Sequence, residues 1–237
     1  MPNLVAMTAA NGQRWQNARI TRSAAVANVC PRLYAAKNRY LAVAAQTGVP
    51  WFVIAAIHER ESSQSWLGSL AQGDPWNRVS VHVPAGRGPF ASWEAAAIDA
   101  LVRCGPYLAR WKDWSVAGAL TALEQYNGVG YASRGVPSPY VWAGTNQYSA
   151  GKYVRDGVYD PSKVDPQLGC AAIIMGLMQL DSSIAFGAVP RGQVAGTGAP
   201  VVPHPGALPP SITNPAPGSI GAWLVSFFSS LFTGGKK

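Results

Sequence analysis

The first 187 residues carry apolar positions spaced mostly three and four apart, which predicts helices. Residues 22–46 are Ala-rich and fit one or two of them. Pro50 suits the first turn of a helix through Trp51–Glu61. Ser92 can cap a helix at 93–104, because Trp93, Ala96, Ala97, Ala100 and Leu101 share a face. Trp114–Gln125 and Pro166–Ile184 read as two more. Gly73-Asp74-Pro75 marks a turn, and Val79-Ser80-Val81-His82-Val83 alternates as a short strand does. Residues 126–165 hold many Gly, Pro, Tyr and Trp and few periodic runs. They read as a long loop, the kind of segment that often carries a site. The expected class is mainly α (α+β), with one small β-hairpin.

The pattern changes after residue 187. Residues 188–219 are rich in Pro and Gly and nearly uncharged, as an extended linker is. Residues 220–237 return to a helical period: Ile220, Trp223, Leu224, Phe227, Phe228, Leu231 and Phe232 fall on one face, and Lys236-Lys237 follow. At about 13 residues this amphipathic segment is too short to span a bilayer. Aromatic bulk beside two lysines suits an anionic membrane interface. Docking on the body and self-association are the other uses of such a face. The expected organisation is a domain at 1–187, a linker at 188–219 and a C-terminal helix at 220–237.

Composition narrows the classes. Of 237 residues 48% are hydrophobic and nine are Trp, which excludes global disorder. Three Cys, at 30, 104 and 170, have neither CxxC nor metal-like spacing and read as reduced and structural, with room for one disulfide. No basic, apolar leader opens the chain and no apolar run reaches about 18 residues, so neither a signal peptide nor a transmembrane span is expected. The net charge of +8 suggests an anionic partner. The Lys and Arg are scattered rather than striped, so nucleic acid is not that partner. A monomer is expected.

Eleven carboxylates, four of them Glu, leave few candidates for acid chemistry. Ile54, Ile57 and Glu61 are spaced three and four apart, so Glu61 continues an apolar stripe into the protein body. Glu59 lies about 200° away on the same helix and reads as an exposed charge. The negative end of the helix dipole, and apolar cover from a residue such as Trp66, would raise the pKa of Glu61. A carboxylic acid protonated at neutral pH is what glycoside cleavage requires. The competing reading is an ordinary solvated Glu in a last turn. His58 either flanks a site or is a hydrogen-bonded core His.

His58-x-x-Glu61-Ser62-Ser63 at the end of an apolar helix, then Gly73-Asp74-Pro75, Val83-Pro84-x-Gly86-Arg87 and Tyr126-Asn127-Gly128-x-Gly130-Tyr131, resembles the lysozyme-like superfamily. Lytic transglycosylases, goose-type lysozymes and phage endolysins carry similar ordered motifs. The resemblance covers roughly residues 40–182. It implies a lysozyme-like domain in which a hairpin between the motifs faces the catalytic helix. Glu61 would be the general acid and Ser62 would orient it. Tyr126, Asn127, Gly128 and Tyr131 would line the groove for bacterial peptidoglycan, which would be cut at the MurNAc-GlcNAc β-1,4 bond. The implied protein is a muramidase or lytic transglycosylase for cell lysis, held in the host cytoplasm until released to the wall. The alternative is a non-catalytic virion or wall-associated module. One departure stands out: Gly176-Leu177-Met178-Gln179, a string transglycosylases carry soon after the catalytic Glu, here follows the Tyr-Asn-Gly motif and reads as core.

The other residues carry two readings each. Asp74 either orients a water or stabilises the sugar cation, or simply forms a turn before Pro75. Tyr126 and Asn127 offer a hydroxyl and an amide to sugar groups, and Gly128 and Gly130 allow close approach; Asn-Gly is equally a helix stop. Tyr140, with Trp142, Tyr148 and Tyr153, is a sugar platform or core. Glu124 and Asp156 are reserve carboxylates. No Gly-x-Ser-x-Gly elbow occurs, and His58, His82 and His204 lack zinc spacing, so no metal and no organic cofactor is implied.

Overall fold

A computed structural model describes residues 3–187; the linker 188–219 and the amphipathic segment 220–237 lie outside the described residues. The architecture is mainly α, with one two-stranded antiparallel hairpin. The described helices are α1 (Leu4–Asn17), α2 (Ser23–Ala35), α3 (Lys37–Thr47), α4 (Trp51–Ser62), α5 (Trp93–Arg103), α6 (Val116–Asn127), α7 (Gly130–Ser133), α8 (Pro139–Trp142) and α9 (Cys170–Leu180). The hairpin, β1 (Lys152–Arg155) and β2 (Val158–Asp160), precedes α9. Among the described residues no single helix is long and apolar enough to cross a membrane.

Helix α4 is the centre. Every residue from Trp51 to Glu61 is buried, with α3, α9, α2 and α6 packed around it. Pro50 precedes its first turn, as its fixed φ favours. It stops at two consecutive left-handed residues, Ser63 (φ 50°) and Gln64 (φ 64°). Their amides close onto the carbonyls of Glu59 and His58, a Schellman closure made without glycine. Ser92 caps α5 through the amide of Ala95, and Ser115 caps α6 through Gly118. The core around α4 is built from Leu33, Tyr40, Trp93, Leu120, Trp142 and Ile173. Cys30, Cys104 and Cys170 are buried free thiols.

Three features differ from the expectation. Helix α1 has little apolar periodicity and shows no clear stripe in the sequence. Asn3 caps it, accepting from the amides of Val5 and Ala6, and it buries Met7 and Asn11. A Cβ at Gly12 would stand 3.2 Å from Ala117 of α6, and buried Asn11 reaches Thr121 and Glu124 there.

The strand expected at 79–83 does not form. Its valines face solvent, Val81 at 78% exposure, while Ser80 is buried. The Ser80 hydroxyl accepts from the Arg87 amide and donates to the Pro84 carbonyl, folding 80–87 into a compact turn.

The hairpin lies instead at 152–160, inside the segment read as a loop. Its two-residue turn is Asp156-Gly157, with Gly157 at φ 68°, and Asp-Gly is a strong short hairpin signal. Tyr153 pairs with Tyr159 across the strands. The rings of Tyr131, Tyr153 and Tyr159 meet edge to face at 5.0–6.3 Å.

In the Gly176-Leu177-Met178-Gln179 string, Gly176 and Leu177 are core while Met178 and Gln179 are exposed. A Cβ at Gly176 would run into Val26 and Cys30 of α2. Gly-to-Ala in an open helix stabilises by about 1 kcal/mol. At Gly176 the sign reverses: Gly176→Ala should cost about 1–3 kcal/mol through overpacking, read as a lower midpoint in urea unfolding.

Candidate functional site

The last buried turn of α4 carries four polar residues in a row: His58, Glu59, Arg60 and Glu61. A helix turns about 100° per residue, so they point in four directions, and each meets a different partner. His58 is fully buried among aromatic rings, 4.5 Å from Trp66 and 4.7 Å from Trp93 between centroids. Its Nε2 lies 3.0 Å from the Ser65 carbonyl, an obligate acceptor, so Nε2–H donates there. Nδ1 then accepts the Tyr40 hydroxyl at 2.8 Å. Burial pushes the imidazole down to about 4, so His58 is neutral at pH 7.

Glu59 is buried rather than exposed. It accepts from Gln64 Nε2 at 2.7 Å, and desolvation raises its pKa. It does point away from Glu61, as its position on the helix requires. The space it faces is protein, because α4 is enclosed on every side.

Glu61 is 6% exposed. Its Oε1 accepts the hydroxyl of Tyr140, on α8, at 2.8 Å. Burial pushes the carboxyl up to about 7, against the opposing pulls of the Tyr140 hydrogen bond and the Arg60 charge. Tyr140 is itself buried, and its phenol stays protonated because burial and the Glu61 charge both disfavour phenolate. Tyr126, on α6, feels the Glu61 charge too, and its hydroxyl donates to the Leu70 carbonyl at 2.9 Å. Glu61, Tyr140 and Tyr126 therefore form one cluster.

The turn after α4 abuts the same helix end. A Cβ on Gly73 would stand 3.2 Å from the Glu61 carbonyl oxygen, and Gly73 has φ 73°. Asp74 beside it organises the turn. Its Oδ2 accepts the amides of Val81 and His82 at 2.9 Å, and its Oδ1 meets His82 Nδ1 at 2.6 Å. These hydrogen bonds outweigh desolvation and hold its pKa below the usual carboxylate range.

The remaining candidates lie elsewhere or serve the backbone. The Ser62 hydroxyl reaches the carbonyls of His58 at 3.1 Å and Ser65 at 3.4 Å, so it closes the helix end and does not meet Glu61. Trp66 covers His58 and Tyr40, and the Arg39 guanidinium lies 3.7 Å from its ring centroid. Asn127 ends α6 and Gly128 turns the chain with φ 97°. The Tyr131 hydroxyl accepts the Tyr153 amide at 3.0 Å, tying the hairpin down. Glu124 is buried against Asn11 at 2.8 Å, and Asp156 is exposed at the hairpin tip.

The sequence reading missed an ion cluster beside Glu61. Asp165 binds Arg60 Nη2 and Lys152 Nζ, each at 3.0 Å. The only hint in the sequence is the scarcity of carboxylates, for which any buried cation must compete. Among the described residues no group of three or more His, Cys, Asp or Glu is placed to hold a metal ion. No family model, curated protein or solved structure matches the chain.

Two outcomes follow for Glu61. Carboxyl 13C titration should find its midpoint near 7. In Tyr140→Phe the midpoint should rise, because the lost hydrogen bond favoured the ionised form.

Stability follows from linkage. An unfolded glutamate releases its proton near 4.5, while the folded one keeps it to about 7. The native state therefore binds the extra proton between those values, and stability falls as pH rises through that window, by about 3 kcal/mol in all. Glu61→Gln should lose this part of the pH slope. Denaturant unfolding at pH 4, 6 and 8 measures it, and parallel curves for variant and parent would refute the assignment.

Proposed function

We propose that this chain is a peptidoglycan glycosidase that cleaves the MurNAc-GlcNAc β-1,4 bond with Glu61 as a single general acid. One observation carries the reading: the Glu61 carboxyl is buried against a neutral phenol, with its pKa pushed up to about 7. Such a group is protonated over much of the neutral range and can give its proton to a leaving glycosidic oxygen. Bond cleavage then leaves an oxocarbenium-like sugar and a Glu61 carboxylate. That carboxylate can take a proton from an attacking water, as a muramidase does. It can equally take one from the C6 hydroxyl of the same sugar, as a lytic transglycosylase does.

In this reading the domain is lysozyme-like. Tyr140 holds the acid in place, and Asp74 shapes the turn beside it. The net charge of +8 aids approach to an anionic wall, and the segment Ile220–Lys237 adds attraction to an anionic membrane surface. Release of the protein to the wall leads to cell lysis.

The near-complete enclosure of Glu61 favours a second reading. A carboxyl this well covered also suits a purely structural acid in a non-catalytic virion or wall-associated binding module.

A zymogram on purified cell wall separates the two. The parent should clear the wall and Glu61→Gln should lose at least about 100-fold, the usual scale of a general-acid contribution. A parent that binds wall without clearing it selects the binding module, and full clearing by Glu61→Gln refutes the mechanism. Mass spectrometry of the released fragments then identifies the second step: a product lighter by one water marks a transglycosylase, and a reducing end marks a muramidase.

A further inference from the structure

Arg60 and Glu61 are neighbours on a helix with no exposed face; their side chains leave the helix about 100° apart, yet the Arg60 charge still pulls the Glu61 carboxyl towards its ionised form. The Arg60 guanidinium is engaged elsewhere. Its Nη2 meets Asp165 Oδ2 at 3.0 Å, its Nη1 meets the Leu168 carbonyl at 3.2 Å, and its Cζ lies 4.8 Å from the centre of the Tyr140 ring. Arg60 Nε is buried without an acceptor, so the terminal nitrogens alone anchor the group.

Asp165 is 1% exposed and fixed from several sides. Its Oδ1 binds Lys152 Nζ at 3.0 Å and the Gln167 amide at 3.1 Å, and its own amide donates to the Tyr148 hydroxyl at 3.0 Å. The titratable groups that sense Glu61 are Arg60 on α4, Tyr126 on α6, Tyr140 on α8 and Cys170 on α9. Burial keeps the two phenols and the thiol protonated at pH 7, so Arg60 is the one charge among these four. Two cations and an anion buried together are costly to desolvate, so the cluster is weak evidence for a role in stability.

We propose that Asp165 is a positioning residue for Glu61: by holding Arg60 and Lys152, it keeps the guanidinium over the Tyr140 ring and off the acid, which is left with a neutral hydroxyl as its partner. The inference rests on the glycosidase reading only for the use of the acid. The arrangement itself is testable without substrate.

The test is the carboxyl titration of Glu61 in the full-length protein, in parent, Asp165→Asn and the double variant Lys152→Met/Asp165→Asn. Asp165→Asn leaves two cations unpaired and can unfold the chain. The double variant removes one cation with the anion, so the net charge of the network is unchanged; Arg60 loses its ionic anchor and keeps the Leu168 carbonyl. Its Glu61 midpoint should fall by about one unit or more, a tenfold loss of proton affinity, as Arg60 turns to the acid. Adding Arg60→Met to the double variant should bring the midpoint back to the parent value or above it. A folded double variant whose Glu61 titrates within about 0.3 units of the parent overturns the proposal; that margin is small against the one-to-three-unit effect of an adjacent cation.

Wall clearing is read in parallel, and the alkaline limb of its pH profile should move down with the midpoint. A parent that clears no wall, with the midpoint shift intact, overturns the glycosidase reading and supports the positioning role. Clearing lost at every pH with the midpoint unmoved overturns the positioning role and leaves the glycosidase standing.

Discussion

Helix α4 has no wet face, and its last four buried residues are His, Glu, Arg and Glu. Burying a charged or polar group costs several kcal/mol unless a partner meets it. Each residue therefore recruits one. His58 takes Tyr40 of α3 and the Ser65 carbonyl; Glu59 takes Gln64; Arg60 takes Asp165 and Leu168, just ahead of α9; Glu61 takes Tyr140 of α8. The polar turn of one helix thus ties to it two other helices, the turn that follows it and the segment ahead of α9. Apolar packing decides that α4 is central, and this turn decides how its neighbours are set against it.

The same burial acts on unlike groups with unlike results. It removes the charge of His58, because the neutral imidazole keeps both hydrogen bonds. It leaves Arg60 charged, because Asp165 compensates it. It raises Glu59 and Glu61 together, yet their surroundings differ: an amide for one, a phenol within an aromatic and thiol cluster for the other. The acid with a raised pKa here has no second carboxylate beside it; its hydrogen-bond partner is a neutral phenol.

Local signals were legible wherever one short stretch carries the whole physical cause. The caps at Ser92 and Pro50, and the stripe Ile54–Ile57–Glu61, needed only neighbours in sequence. Signals that depend on distant partners were not legible. Val79–Val83 alternates correctly for a strand, but among the described residues no second strand pairs with it. Asp156-Gly157 was readable as a hairpin turn and was hidden by the aromatic and glycine content around it. Helix α1 buries only Met7 and Asn11, and period-based reading scores the second of these as polar. An amphipathic helix would expose Glu59, whereas α4 is enclosed all round and buries it. Asp165 and Lys152 come more than 90 residues after Arg60, and nothing local marks them as its partners.

The three thiols bear on a different matter, the medium the molecule can tolerate. Each is enclosed and alone. Burial pushes Cys30 up to about 12 and Cys104 to about 11, and raises Cys170 as well. Thiolate is the form that oxidants and disulfides attack, and at neutral pH these sites hold almost none of it. The described fold owes nothing to a covalent crosslink and offers no ready handle for forming one. Its three cysteines therefore give the described fold little dependence on whether the surrounding medium is reducing or oxidising.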